Sequence, residues 1–157
     1  MVNYTDLSVE LMAISENVSC DISILSNASA LLYSALDNLN WCGFYLYHGG
    51  RLVLGPFQGK IACTEIELGK GVCGTAALNQ EPVLVENVHE FDGHIACDSA
   101  SNSEIVVPII INDELYGVLD IDSPLYSRFS KTDRAGLEKV VETLEAVLTG
   151  NFSPAAI

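Results

Sequence analysis

Five cysteines stand at positions 20, 42, 63, 73 and 97. An odd number does not read as a disulfide scaffold, and a chain of this length can build a core without one. Free cysteines are most often small buried hydrophobes, a reading that suits Cys20 and Cys42. Cys63, Cys73 and Cys97 are the candidates for chemistry, because a thiolate is both a nucleophile and a metal ligand. His94-x-x-Cys97 has the spacing of a zinc half-site, yet no second tight pair such as C-x-x-C accompanies it. His89 and His94 therefore read better as polar loop residues. Gly69-Lys70-Gly71-Val72-Cys73-Gly74 has the G-x-G-x-x-G spacing of dinucleotide loops. Those loops follow a buried parallel strand and open a long crossover helix. Here the preceding segment alternates and Pro82 leaves room for barely two helical turns, so the glycines read as a tight strand-to-helix turn.

Carboxylates and aromatics add a second set. If 115–122 is a strand, Leu115, Gly117, Leu119 and Ile121 share one face, and Tyr116, Val118, Asp120 and Asp122 share the other. Two carboxylates then project from neighbouring pleats, as a solvated strand end or as part of a site. Trp41 and Tyr45 flank Gly43 in the same way, as ordinary core or as an aromatic floor with an open centre. Spacing alone leaves both questions open.

The elements that must position these residues follow from periodicity. Leu7, Leu11, Ile14 and Val18 make one helical stripe, with Thr5 or Asp6 as cap. Ile22, Leu25, Leu32, Leu36 and Leu39 make a second. Trp41 to Tyr47 is an aromatic-rich strand, joined by the turn His48-Gly49-Gly50-Arg51 to Leu52-Val53-Leu54. Cys63 to Leu68 alternates, with Thr64, Ile66 and Leu68 on one face. A short helix follows over Gly71 to Asn79, then a strand over Val83 to Val85. The polar stretch 87–103 is long enough to be a functional loop. Ile105 to Ile111 and Leu115 to Ile121 form the clearest hairpin. Ser130-Lys131-Thr132-Asp133 is a capping box that opens a last helix, with Leu137, Val140, Leu144 and Leu148 inward. About six strands with tight hairpins, flanked by helices, predict an α+β fold with a mostly antiparallel sheet.

Composition narrows the function. The 157 residues are 49% hydrophobic and 18% charged, and 7 basic against 21 acidic residues leave a net charge of −14. That field repels phosphate backbones and anionic lipid, which argues against nucleic acid and membrane surfaces as partners. The longest apolar run, Ile105 to Ile111, is far shorter than the ~20 residues of a membrane span. No secretory leader is legible at Met1–Asp6, so a cytoplasmic location is expected, with one domain over 1–150 and a tail over 151–157.

Taken in order, Trp41-Cys42-Gly43-Phe44-Tyr45, Gly55-Pro56-Phe57-Gln58-Gly59, Gly69-Lys70-Gly71-Val72-Cys73-Gly74, His94-Ile95-Ala96-Cys97-Asp98, Ser103-Glu104-Ile105-Val106-Val107-Pro108 and Leu119-Asp120-Ile121-Asp122-Ser123 resemble the free methionine-(R)-sulfoxide reductases, which are stand-alone GAF-domain enzymes. The resemblance covers about residues 30–148 and departs from the family at no motif position. It implies a six-stranded antiparallel sheet between helices. It also implies thioredoxin-dependent reduction of free L-methionine (R)-sulfoxide, without metal or organic cofactor. Cys97 corresponds to the nucleophile that becomes a sulfenic acid, Cys63 to the resolving thiol that closes a disulfide, and Cys73 to an auxiliary cysteine. Trp41 and Tyr45 match the aromatic wall of the substrate pocket. Glu104, Asp120 and Asp122 match the acidic residues that bind substrate and handle the sulfoxide oxygen. A homodimer, with the first helix as contact, is a further family-level expectation.

The chemistry suits these residue types. A sulfenic acid condenses readily with a neighbouring thiol, so nucleophile, resolving thiol and proton donor suffice. Nearby negative charge, however, disfavours a thiolate. Crowded carboxylates share protons, and one that stays neutral near pH 7 can protonate the sulfoxide oxygen while another holds the substrate ammonium. The alternative is a non-catalytic GAF module that binds a small ligand and regulates a partner; the cysteine spacing favours the reductase.

Overall fold

The apolar runs in the middle of the chain form one six-stranded sheet, and helices cover both of its faces. The computed structural model describes residues 1–95 and 97–150. The expected tail, 151–157, and Ala96 of the His94-to-Asp98 motif lie outside the described residues. Two helices, α1 (Tyr4–Ile14) and α2 (Asp21–Ala35), precede β1 (Trp41–His48), β2 (Arg51–Gly59) and β3 (Glu65–Glu67). A short helix α3 (Gly71–Asn79) leads to β4 (Val83–Val85), a single 3-10 turn at Val88–Glu90, then β5 (Ser103–Ile111), β6 (Glu114–Ser123) and α4 (Lys131–Val147). The strand order is β3-β2-β1-β6-β5-β4, and every neighbouring pair is antiparallel. No described helix is long and apolar enough to cross a membrane.

Strand alternation sorts side chains into two cores. Phe44, Leu46, Ile105, Ile109, Leu119 and Ile121 point to the side packed by α1, α2 and α4. Trp41, Tyr45, Leu52, Val106 and Val118 point to the side closed by α3, with its Val72, Cys73 and Ala76. The central strands are thus buried on both faces.

Several elements match the sequence reading closely. Helix α3 spans Gly71–Asn79 as expected, and Ser130 with Asp133 makes the capping box of α4. Others need correction. Asn3, rather than Thr5 or Asp6, caps α1, its Oδ1 accepting from the Asp6 amide at 3.1 Å. That helix stops at Ile14, and Asn17 turns the chain with a φ of 60°, so Val18 lies beyond it. Cys20 is not a buried hydrophobe but an exposed residue at the start of α2, whereas Cys42 is buried as expected. Cys63 precedes β3 in a loop instead of opening a strand.

Two bulges explain the remaining differences. On β2, Gly55 and Pro56 fall between the pairs Tyr45↔Leu54 and Gly43↔Phe57, which lets the strand run on through a proline to Gly59. On β6, Tyr116 falls between the pairs Ile110↔Leu115 and Ile109↔Gly117. The extra residue resets the alternation: Tyr116 leaves the face of Val118 and Asp120, and its hydroxyl bonds Asp21 Oδ2 at 3.1 Å. Leu115 moves to the α3 side.

The first bulge bears on the site. A methyl group built on Gly43 comes within 2.2 Å of Phe57 Cβ, so only glycine lets Phe57 cross there. Gly43→Ala is expected to lower stability by about 1–3 kcal/mol through forced repacking. Urea unfolding midpoints check this, and an unchanged midpoint would show that the crossing is not tight.

Candidate active site

Three strands build the floor of the site. Register pairs Glu104 of β5 with Asp122 of β6, and Asp122 with Trp41 of β1, so the three form one row across the sheet. The next row runs Val106, Asp120, Gly43. Because Gly43 has no side chain, Phe57 of β2 crosses the sheet at that point of the row. Helix α3 closes the far side with Lys70, Gly71, Val72 and Cys73, and the loop after the 3-10 turn brings His94, Ile95, Cys97, Asp98 and Ser101. The cavity between them has a volume of about 40 Å³.

Trp41 and Tyr45 form the aromatic wall. Their rings stack at 5.7 Å, and Phe57 stacks on the back of Trp41 at 5.1 Å. Both also hold the loop that carries Cys63. Trp41 Nε1 donates to the Lys60 carbonyl at 3.2 Å, and the Tyr45 hydroxyl donates to the Cys63 carbonyl at 3.0 Å. Cys63 and Cys97 are joined in a disulfide, with Cα atoms 5.5 Å apart. Both cysteines are half-buried at the edge of the cavity, while Cys73 is buried inside it.

The acidic cluster is held close. Cys73 Sγ lies 3.9 Å from Glu104 Oε1, and ligand atoms of Cys73, Glu104 and Asp120 all fall within 4.8 Å of one another. Glu104 and Asp120 are buried, and Asp120 Oδ1 and Asp122 Oδ1 have no hydrogen-bond partner. Burial drives the Glu104 carboxyl well above its ordinary range, and the charges of Asp120 and Asp122 add to this. Asp122 is raised well above its ordinary range by burial and then by Asp120. Asp120 is raised by burial too, but hydrogen bonding with Glu104, Cys73 and Asp122 works in the opposite direction. Burial and crowding thus favour the protonated forms across the cluster, whose three carboxyls share their protons. Burial followed by the same carboxylates keeps the Cys73 thiol protonated. His94 Nε2 stands 4.0 Å from Glu104 Oε2, and burial, followed by the charge of His89, lowers its pKa.

Trp41, Tyr45, Cys73, Cys97, Glu104, Asp120 and Asp122 thus converge on one cavity, and Cys63 is bonded to it from the rim. His89 points elsewhere, pairing with Asn102 Oδ1 at 2.8 Å. Phe57 and Lys70 stand in the quoted motifs without an assigned role, and Asn40 escaped the sequence reading. The missing side chain at Gly43 was the one available sign that an aromatic from a neighbouring strand lies across it.

The fold and this arrangement of thiols beside carboxyls define a GAF-domain protein, and residues 20–148 match the GAF domain family. The chain is 51% identical over 145 residues to the free methionine-R-sulfoxide reductase of Escherichia coli, covering 92% of this chain and 88% of that one. The fRMsr of Staphylococcus aureus in complex with substrate superimposes with a TM-score of 0.90 at 49% identity, covering 95% of this chain and 97% of that one. A free methionine-R-sulfoxide reductase from Neisseria meningitidis, also in complex with its substrate, gives 0.89 at 36% identity, with 98% and 92% covered. The chain belongs to the free methionine-R-sulfoxide reductase family of GAF-domain proteins.

Proposed function

We propose that the protein reduces free L-methionine (R)-sulfoxide to methionine, with Cys97 as nucleophile. The observation that carries this reading is the Cys63–Cys97 disulfide at the edge of a cavity lined by crowded carboxyls and an aromatic wall. The Cys97 thiolate attacks the sulfoxide sulfur while Glu104 or Asp122 gives a proton to the oxygen. That oxygen ends on Cys97 as a sulfenic acid, so the substrate sulfur gains two electrons and the cysteine sulfur loses two. The Cys63 thiol then attacks the sulfenic acid, forming the disulfide and releasing water. A dithiol such as thioredoxin reduces the bridge by exchange, itself ending as a disulfide. Cys63 suits the resolving role because its bridge is half-exposed, whereas the buried Cys73 is out of a protein reductant's reach.

Substrate binding follows from the same walls. A carboxylate of the cluster, with Asp120 central among the three, pairs with the ammonium group of a free amino acid. Lys70 and the uncapped first turn of α3 meet its carboxylate. Trp41 and Tyr45 contact the methylthio end. A cytoplasmic location fits a dependence on thioredoxin. We also infer a homodimer through α1, where Val9 and Met12 expose 65% and 48% of their surface.

Thioredoxin-coupled NADPH oxidation tests the reading. Free L-methionine (R)-sulfoxide should turn over, while the S epimer and a sulfoxide inside a peptide should be slower by about a hundredfold or more, the scale on which misplaced reacting atoms lose rate. The two epimers cannot both set their oxygen against one fixed proton donor. Equal rates on either competitor would refute the pocket geometry described here.

A further inference from the structure

We propose that Asn40 is a positioning residue that holds the Cys97 loop over the cavity while the Cys63–Cys97 bridge is open. The inference rests on the reading of Cys97 as nucleophile. In the attacking enzyme both cysteines are thiols, so the covalent tie to Cys63 is missing at the moment when Cys97 must be aimed. The loop then depends on weaker ties. Within itself it has Cys97 N–H to the Ile95 carbonyl at 3.0 Å, Ala100 N–H to Asp98 Oδ1 at 2.9 Å and Ser101 N–H to the Asp98 carbonyl at 3.2 Å.

The side-chain amide of Asn40 links that unit to the sheet. Its Nδ2 donates to Asp98 Oδ2 at 2.9 Å and to Ser101 Oγ at 3.0 Å. Its backbone N–H donates to the Asp122 carbonyl at 3.0 Å, and the next residue is Trp41. One residue thereby sets the nucleophile loop, the aromatic wall and an acidic strand relative to one another. The same amide, with the Ala100 N–H, absorbs the negative charge of Asp98, which would otherwise stand bare next to the sulfur that must ionise. Asn40 does not itself line the cavity; its side chain acts through Asp98 and Ser101, which do.

The test exploits the direction of the hydrogen bond. Asn40→Asp keeps the shape but sets one carboxylate against another. It should lower kcat by about ten- to a hundredfold with KM changed far less, because the substrate's own contacts remain. Adding Asp98→Asn restores a donor–acceptor pair with its polarity reversed, and the oxygen of the introduced amide still accepts from the Ala100 N–H. The double variant should recover to within about threefold of the parent, a coupling that a residue with a purely structural role does not show. Amide hydrogen exchange over 97–102 in the reduced protein reads the loop directly, should rise in Asn40→Asp and fall back in the double variant, and needs no substrate. If Asn40→Asp does not fold, Asn40→Ala takes its place for kcat and exchange. An active parent whose Asn40 variants keep parental kcat and exchange overturns the inference. An inactive parent with exchange that responds as described overturns the reductase reading instead, and leaves the tether in place.

Discussion

Cys97→Ser is expected to abolish methionine formation, lowering kcat by at least about a thousandfold, the scale on which activated nucleophiles are lost. A serine hydroxyl is not ionised near neutral pH and is a poor attacker of a sulfoxide sulfur, and its product could not be recycled by a thiol. The fold should survive. Cys97 is half-buried in a loop whose hydrogen bonds run through its backbone and its neighbours. The control is stability under reducing conditions, where variant and parent should have equal urea midpoints. Under oxidising conditions the parent alone closes a bridge between positions 34 residues apart, worth about 3–4 kcal/mol by loop-closure entropy. Residual turnover above a few per cent would move the nucleophile to another cysteine.

The second large effect concerns the proton. Glu104→Gln should lower kcat by about a hundredfold or more, the usual contribution of a general acid. Glutamine fits the volume but has no proton to give. The pH dependence carries the sharper information. In the parent, activity falls as pH climbs through the raised carboxyl pKa and the donor loses its proton; in Glu104→Gln that alkaline loss through Glu104 disappears. Stability follows the same shift. A carboxyl whose folded pKa is raised stabilises the fold below its unfolded pKa of about 4, and that contribution is lost as pH rises through the folded value. The urea midpoint of the parent relative to Glu104→Gln should therefore be lower at pH 8 than at pH 5. A pH profile and a stability difference that are both unchanged by the substitution would place the shared proton elsewhere, with Asp122 the next donor to test.

The fold was legible wherever the signal was local. Helix α3 is bounded by its glycines and by a turn ahead of Pro82, and α4 by the Ser130–Asp133 box, so both emerged where expected. The face of β6 carrying Tyr116 did not, because a bulge is a property of a strand pair. Nothing in Leu115 to Asp122 itself records that Ile109 and Ile110 will skip a residue opposite. Cys20 illustrates a different limit: type and composition suggest burial, but the position at a helix start in a surface turn decides exposure.

At the site, the alternation of Asp120 and Asp122 and the positions of the cysteines placed the right residues in view. Their meeting in one cavity depends on Glu104 pairing with Asp122 across the sheet, a long-range register. Protonation states lay further still from the sequence. They arise from burial under α3 and from mutual repulsion at distances that only the fold sets. Asn40 carried no signal at all, since its partners lie 58 and 61 residues away.

Transfer of oxygen from a free methionine sulfoxide to Cys97, and closure of the bridge by Cys63, can be read in a single turnover. Fully reduced protein, freed of reductant, should be mixed with one equivalent of L-methionine (R)-sulfoxide, and the products followed by amino-acid analysis and by mass spectrometry of an unreduced digest. The account predicts about one methionine per chain and a single new peptide pair joined through Cys63 and Cys97. Methionine formed with a Cys73–Cys97 pair would reverse the two thiol roles, and no methionine at all would contradict the account outright.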